Sequence, residues 1–357
     1  MSEKTTGFFK NLFTLIGAVL VITLVFYYTR MKTPEVSALA FNPAGDRLAS
    51  ASTDGTLKVW DMNTGQQAWS MKDPDEGRVN ANRLIVQKPF LAISPEGHTL
   101  AAGNLFGAIR LWDVNTGEQI QTLESNIRWR SLAFSPDGNV LAAESDDSTI
   151  TLWDLKTGKV LQVLGKKQYP LTSDYIAFSP DGKILAQPNW NGTIKLWDVA
   201  TGELALQFGG VDRSGIVKRE ILVLMPSVAF SPDGGVLASS VNGKIKLWEA
   251  SSGKELHTLT TGGTLGMVAF SPDGKYLASP DRDDTVHLWE VSTGEWFATF
   301  TAVPPKPRTM KLLNTLLAIR PYIAFSPDGL TLALGSRDNI IMAWDVQTGK
   351  ALPIIQH

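Results

Sequence analysis

The sequence predicts an all-β fold, seven four-stranded antiparallel blades closed into a ring, preceded by one transmembrane α-helix. Two observations carry the ring and one carries the helix. A unit that opens AFSPDG and closes LWD or LWE is complete at Ala133–Gly138 with Leu152, Trp153 and Asp154, and again at Ala229–Gly234 with Leu247, Trp248 and Glu249. It recurs in seven copies, whose closing tryptophans are Trp60, Trp112, Trp153, Trp197, Trp248, Trp289 and Trp344. Within each copy, short segments alternate apolar and polar residues between turn-forming clusters, the period of half-buried strands. Ahead of the array, Leu12–Tyr28 is almost wholly apolar. A fixed period decides the architecture before length does, although 357 residues would otherwise suggest two or three domains.

Taken in order, the chain starts with a short tail, 1–11, and then a span, 12–29. A helix needs about 20 apolar residues to cross a bilayer, with about 17 as the lower limit. No charged residue stands between Asn11 and Thr29; Phe8, Phe9, Phe26, Tyr27 and Tyr28 supply interfacial aromatics, and Lys10 and Arg30 bracket the run. A cleaved signal peptide, the alternative, has an apolar core of about 7–15 residues followed by small residues. Here FYYTRMK follows, which favours an uncleaved anchor over a secreted soluble form. Lys4 and Lys10 balance Arg30 and Lys32; the terminal amine and Glu35 tip the N-terminus inside, placing the large domain on the non-cytoplasmic side of a single-pass protein. The tether, 30–35, reaches at most about 20 Å.

The first copy shows why each unit is four strands. Val36–Phe41 alternates and ends at a Pro-x-Gly turn, Arg47–Ser52 follows, the polar corner STDG leads into TLKVWD, and a turn MNTG precedes the fourth segment. Fourth segments open at Gln66, Glu118, Lys159, Glu203, Lys254, Glu295 and Ala351. The blades then span 36–73, 90–125, 131–166, 175–209, 227–261, 266–301 and 322–357. A lone four-stranded sheet cannot cover both its faces; seven packed radially can.

AFSPDG, the xxDG corner, IKLWD and the xTGE turn together resemble the WD-repeat (tryptophan-aspartate) beta-propellers, in a style similar to bacterial members. The resemblance runs from Val36 to the C-terminus and implies a seven-bladed beta-propeller, while it is nearly silent on function. It also implies that fourth-to-first connections and the corners share one rim, the top face, which the short tether turns toward the bilayer. Two features depart from the family pattern. No repeat carries the Gly-His pair whose His would bond the corner Asp; the corner position reads Asp54, Phe106, Asp147, Asn191, Asn242, Asp283 and Asp338, where Asp and Asn cap the turn themselves. The chain also starts at a first strand and ends at a fourth, so blades one and seven are expected to meet by side-chain packing alone.

The copies are unequal. Successive tryptophans stand 52, 41, 44, 51, 41 and 55 residues apart, and the long gaps hold insertions at Lys72–Pro89, Gly209–Pro226 and Ala302–Pro321. Each insertion ends alike, as RLIVQKP, EILVLMP and NTLLAIRP. The last carries Lys306, Arg308, Lys311 and Arg320 without an acid, a membrane-proximal rim in which each charge adds about 1 kcal/mol of attraction to anionic lipid. The insertions are expected to form a collar touching headgroups or a membrane-embedded partner; local packing on their own blades is the alternative. Trp129 and Trp190, with Phe106, Arg128, Arg130, Arg282 and Arg337, form the candidate partner-binding patch at the channel mouth, since aromatics and arginine dominate interface energetics.

Composition narrows the function classes. A net charge of −2 argues against nucleic acid, and the absence of cysteine removes thiolate nucleophiles and cysteine metal sites. His98, His257, His287 and His357 lack metal-ligand spacing, and the acidic corners SDDS and DRDD read as turn caps before calcium ligands. No phosphate loop, nucleophile elbow or paired-carboxylate motif occurs. The sequence therefore reads as a non-enzymatic, membrane-anchored scaffold or accessory subunit with protein partners, the bilayer contacted through 12–29, and no cofactor. A propeller that binds a ligand or substrate in its channel is the alternative.

Overall fold

Serine, proline, aspartate and glycine recur together because they close one turn cooperatively. In blade three Ser135 Oγ donates to Asp137 Oδ1 at 2.5 Å and accepts the Val140 N–H at 2.9 Å. The Gly138 N–H returns to the Ser135 carbonyl at 2.9 Å, and Gly138 takes φ 72°, a conformation glycine alone adopts without strain. The second recurring turn uses the aspartate after the tryptophan: Asp154 Oδ1 accepts the Lys156 N–H at 2.8 Å, and Gly158 N–H closes onto the Asp154 carbonyl at 2.8 Å.

These turns link four strands per blade, and the computed structural model holds seven such four-stranded sheets, each in chain order. It describes residues 34–72, 90–103, 108–125, 127–167, 175–189, 191–210, 226–241, 243–260, 267–281, 285–301, 322–336 and 339–357. The tail 1–11, the span 12–29, most of the tether and the bulk of the three insertions lie outside the described residues. Among the described residues no helix is long and apolar enough to cross a membrane.

Blade one comprises Val36–Phe41, Arg47–Ser52, Thr56–Asp61 and Gln66–Lys72, all antiparallel. Burial falls outward: the second strand is buried on both faces, while the fourth is mostly exposed. The reason is radial packing, which gives inner strands a neighbour on each side and leaves outer strands splayed. The core is accordingly seven clusters, each shared by two adjacent blades. Between blades two and three, for example, Phe90, Ile109 and Leu123 meet Leu141 and Trp153.

The seam between blades seven and one carries more than side-chain packing, which corrects the expectation for closure. Val36, Leu39, Leu48 and Trp60 pack against Ala333 and Ile341. In addition, the Val36 N–H reaches the Ser336 carbonyl at 3.3 Å and Ser52 Oγ lies 3.1 Å from Asn339 Oδ1. The fourth strand of blade seven, expected from Ala351, is confined to Ile355–Gln356, with one isolated bridge between Trp344 and Ala351. Pro353 lies between them and has no N–H to offer the ladder.

Candidate functional site

The corner residues sit where second strands pass into third strands, and the local hydrogen bonds explain their identity. Asp54 Oδ1 accepts the Thr56 N–H at 3.0 Å and Asn191 Oδ1 accepts the Thr193 N–H at 3.1 Å. Asp147 accepts the Ser145 hydroxyl, the Thr149 hydroxyl at 2.6 Å and the Thr149 N–H at 3.2 Å, with Lys167 Nζ 3.6 Å away. Burial opposes ionisation of Asp54 and Asp147, but the neighbouring hydroxyls and amides outweigh it and hold both carboxyls below their usual range. Their lone pairs serve the turn. Phe106, Asn242, Asp283 and Asp338 lie outside the described residues.

Blade one brings a histidine to its tryptophan although no Gly-His pair precedes the blade. Trp60 Nε1 donates to Ser50 Oγ at 2.8 Å, and the ring of His357, from the end of blade seven, stands 6.2 Å from the Trp60 ring. His357 is buried, bonds to the Ser50 backbone and feels the Asp54 charge. His357 of blade seven thus packs beside the tryptophan of blade one, but its Nε2 has no hydrogen-bond partner, so no relay to the corner aspartate is closed. Burial and the Lys58 charge push its pKa down to about 4. Trp248 Nε1 has a similar acceptor in Ser239 Oγ at 2.8 Å, and Trp197 Nε1 in Gln187 Oε1 at 3.0 Å.

The patch expected around the channel mouth is not assembled by its described members. Trp129 opens the first strand of blade three, Trp129–Phe134, and is 0% exposed, its ring edge-on to Trp153 with centroids 5.1 Å apart. The repeat template starts two residues later, at Ser131, and so leaves it in a connection; a bulge between Glu144 and Ser145 pairs Ser145 with Trp129 and extends the strand. Arg128 makes an ion pair with Asp146 at 3.8 Å, and Arg130 is half-buried. Trp190, Phe106, Arg282 and Arg337, and the rim residues Lys306, Arg308, Lys311 and Arg320, lie outside the described residues.

The first strands enclose an axial cavity of about 400 Å³, lined by Leu39, Phe90, Leu132, Phe178, Val228 and Met267 among others. Its two serines are committed elsewhere: Ser131 Oγ accepts the Ile176 N–H at 3.0 Å, and Ser231 Oγ donates to Asp233 Oδ1 at 2.5 Å while accepting the Val236 N–H at 2.9 Å. Elsewhere, His287 Nδ1 contacts Thr299 Oγ1 at 3.1 Å and its Nε2 lies 3.8 Å from Asp281. Among the described residues no three histidines or acids are grouped closely enough to hold a metal ion.

The family model described as WD domain, G-beta repeat matches residues 25–61, 117–154, 174–198, 226–249, 253–290 and 322–345. Blade two, whose corner reads Phe106, is the one whose inner strands these matches omit. The chain is similar to the periodic tryptophan protein 2 homolog of Schizosaccharomyces pombe, 29% identical over 131 residues, which are 36% of this chain and 14% of that protein. It is also similar to small ribosomal subunit protein RACK1y of Oryza sativa subsp. japonica, 30% identical over 121 residues, 34% of each protein. The matched region thus spans about a third or less of these relatives. Both are eukaryotic, so the bacterial repeat style finds no counterpart in them.

Proposed function

The chain belongs to the WD domain, G-beta repeat family, and from that premise we propose that it is a non-enzymatic scaffold that binds protein partners. The observation that carries this reading is that, among the described residues, Asp54 and Asn191 at corners, Ser135 at a turn and Ser131 at the channel each accept a backbone N–H. A ring so satisfied offers shape and surface, not reactive groups. One relative is named as a small ribosomal subunit protein, which agrees with work inside an assembly.

We further propose that residues 12–29 anchor the protein as a single-pass segment, that the propeller stands on the non-cytoplasmic side, and that the three unequal fourth-to-first connections meet a membrane-embedded complex or its lipid. The apolar length of Leu12–Tyr28 and the shared form of the insertions support this. Co-purification of the full-length protein from native membranes, after an alkaline carbonate wash, tests both parts. Retention in the washed membrane with a reproducible protein companion is expected. Release by carbonate, with a mature N-terminus beyond residue 29, would establish the secreted form instead; retention without any companion would end the scaffold reading.

A further inference from the structure

The outermost strand of a blade is an edge, whose outward N–H and C=O groups have no strand beside them. In blade three this strand is Lys159–Leu164, the end member of its sheet, paired with Ile150–Asp154 on its inner side. Val160, Leu161 and Val163 on it are 53%, 55% and 55% exposed. The outer strands of blades two, four and five each expose one large hydrophobic side chain, Ile120, Leu204 and Leu256. Blade six exposes Trp296 and Phe297, but both are engaged locally: the Trp296 indole donates to the Ala298 carbonyl at 3.1 Å, and Phe297 packs on Tyr276 with centroids 4.5 Å apart.

The edge of blade three is suited to pairing. Val160 and Val163 are β-branched, which favours a strand beside them. Gln162 is tied to blade four through its Nε2, which donates to the Val199 carbonyl, so the strand is held in place. The bulge at Leu161 recurs at the same step in blades one to six, and regular register resumes over Gln162, Val163 and Leu164.

Charge selects what lies there. Lys156 stands in the turn before the strand, Lys159 opens it, and Lys166 and Lys167 follow it, all exposed. Lys167 pairs with Asp147 at 3.6 Å; among the described residues Lys156, Lys159 and Lys166 make no ion pair. The carboxylate closest in sequence, Asp154, spends Oδ1 on the amides of Lys156 and Thr157. Blades two, four and six carry Glu118, Glu203 and Glu295 where blade three has Lys159, and in blade five Glu255 follows Lys254. A second copy of this chain is disfavoured, because antiparallel pairing about the middle of the strand sets Lys159 opposite Lys166, and like charges repel across strands. The lysines that guard the edge against itself attract acids.

We propose that the outer edge of blade three takes an extended segment of a protein partner as a fifth strand, with aliphatic residues against Val160, Leu161 and Val163 and acidic residues at both ends facing Lys159 and Lys166. The proposal rests on the scaffold reading for the existence of a protein partner, and it adds a surface away from the fourth-to-first connections.

The test is fluorescence anisotropy with the full-length protein and the fluorescein-labelled peptide Asp-Glu-Val-Thr-Val-Thr-Val-Glu-Asp. Saturable binding below about 1 mM is expected, at least about tenfold tighter than for the same peptide with lysine in place of each acid. Bound peptide should slow amide hydrogen exchange within Lys159–Leu164. Lys159→Glu combined with Lys166→Glu should reverse the preference between the two peptides. Leu161→Ser combined with Val163→Ser should weaken binding at least about tenfold; these side chains are exposed, so the melting temperature should hold in both variants. No saturable binding, equal binding of the two peptides, unchanged exchange within the strand, or an unaltered preference in the charge-reversed protein would overturn the proposal. Such a failure leaves untouched any companion retained on washed membranes, so it is distinguishable from a failure of the scaffold reading.

Discussion

The ring of His357 lies 6.2 Å from the ring of Trp60, although 297 positions separate them and they belong to the last and first blades. This pair makes the seam titratable. His357 has its folded pKa lowered from 6.5 to about 4, chiefly by burial. A depressed histidine is bound neutral, so its contribution is complete above the unfolded pKa and is lost as pH falls from 6.5 toward 4. At about 1.4 kcal/mol per pKa unit the loss approaches about 3 kcal/mol at the lower limit. The turn aspartates, also lowered, lose their contribution only below about 3.8, so the two windows separate. Urea midpoints measured between neutral pH and about pH 4.5 should fall in the native protein and stay nearly level in His357→Leu.

The placement of Trp129 gives a second test. Trp129→Ala removes a fully buried ring packed on Trp153 and should cost about 3–5 kcal/mol. An exposed binding residue would leave stability unchanged. Trp129→Phe should cost much less, because Trp129 Nε1 has no hydrogen-bond partner to forfeit. Denaturant melts of the two variants distinguish a core ring from a surface anchor.

Much of this fold was legible in the sequence, because its devices are local. The Pro-x-Gly turn and the aspartate or glutamate after each repeat tryptophan act within five residues, so every copy announces its own turns. What escaped was set by long-range pairing. Trp129 looked like a linker residue because only its partner across the bulge, Ser145, draws it into the strand. His357 carries no adjacent glycine, and its companions Ser50, Asp54 and Trp60 lie at the other end of the chain. Ala351 opened an expected strand that Pro353 prevents from pairing along its length. The contact of Tyr175 in blade four with Tyr322 in blade seven, both lining the cavity, depends on two blades facing each other, which no repeat pattern encodes.

Glycines in the turn after each tryptophan separate backbone strain from crowding. Gly65 takes φ 69° with nothing within 4 Å of an added Cβ, whereas Gly253 takes φ 71° and an added Cβ would lie 2.5 Å from the Phe208 ring. Gly65→Ala should cost about 1–2 kcal/mol from the left-handed backbone alone. Gly253→Ala carries that cost plus about 1–3 kcal/mol of overpacking against Phe208. Equal thermal shifts for the two would show that the outer strand of blade four yields freely to the turn of blade five.

A last prediction concerns Gln187, which is buried between blades three and four. Its Nε2 donates to Glu144 Oε1 at 2.7 Å and to the Ser148 carbonyl at 3.0 Å, and its Oε1 accepts from Trp197 Nε1 at 3.0 Å. Gln187→Leu keeps the volume but strands the Trp197 N–H and takes a donor from the buried Glu144 carboxylate. Each abandoned buried group costs about 1–3 kcal/mol, so the variant should lose about 2–4 kcal/mol. Combining it with Trp197→Phe, which removes the stranded indole donor, should recover part of that loss, because the two changes share one hydrogen bond and are not additive. Strict additivity in a double-mutant cycle would mean that the Trp197 to Gln187 bond within blade four contributes nothing to stability.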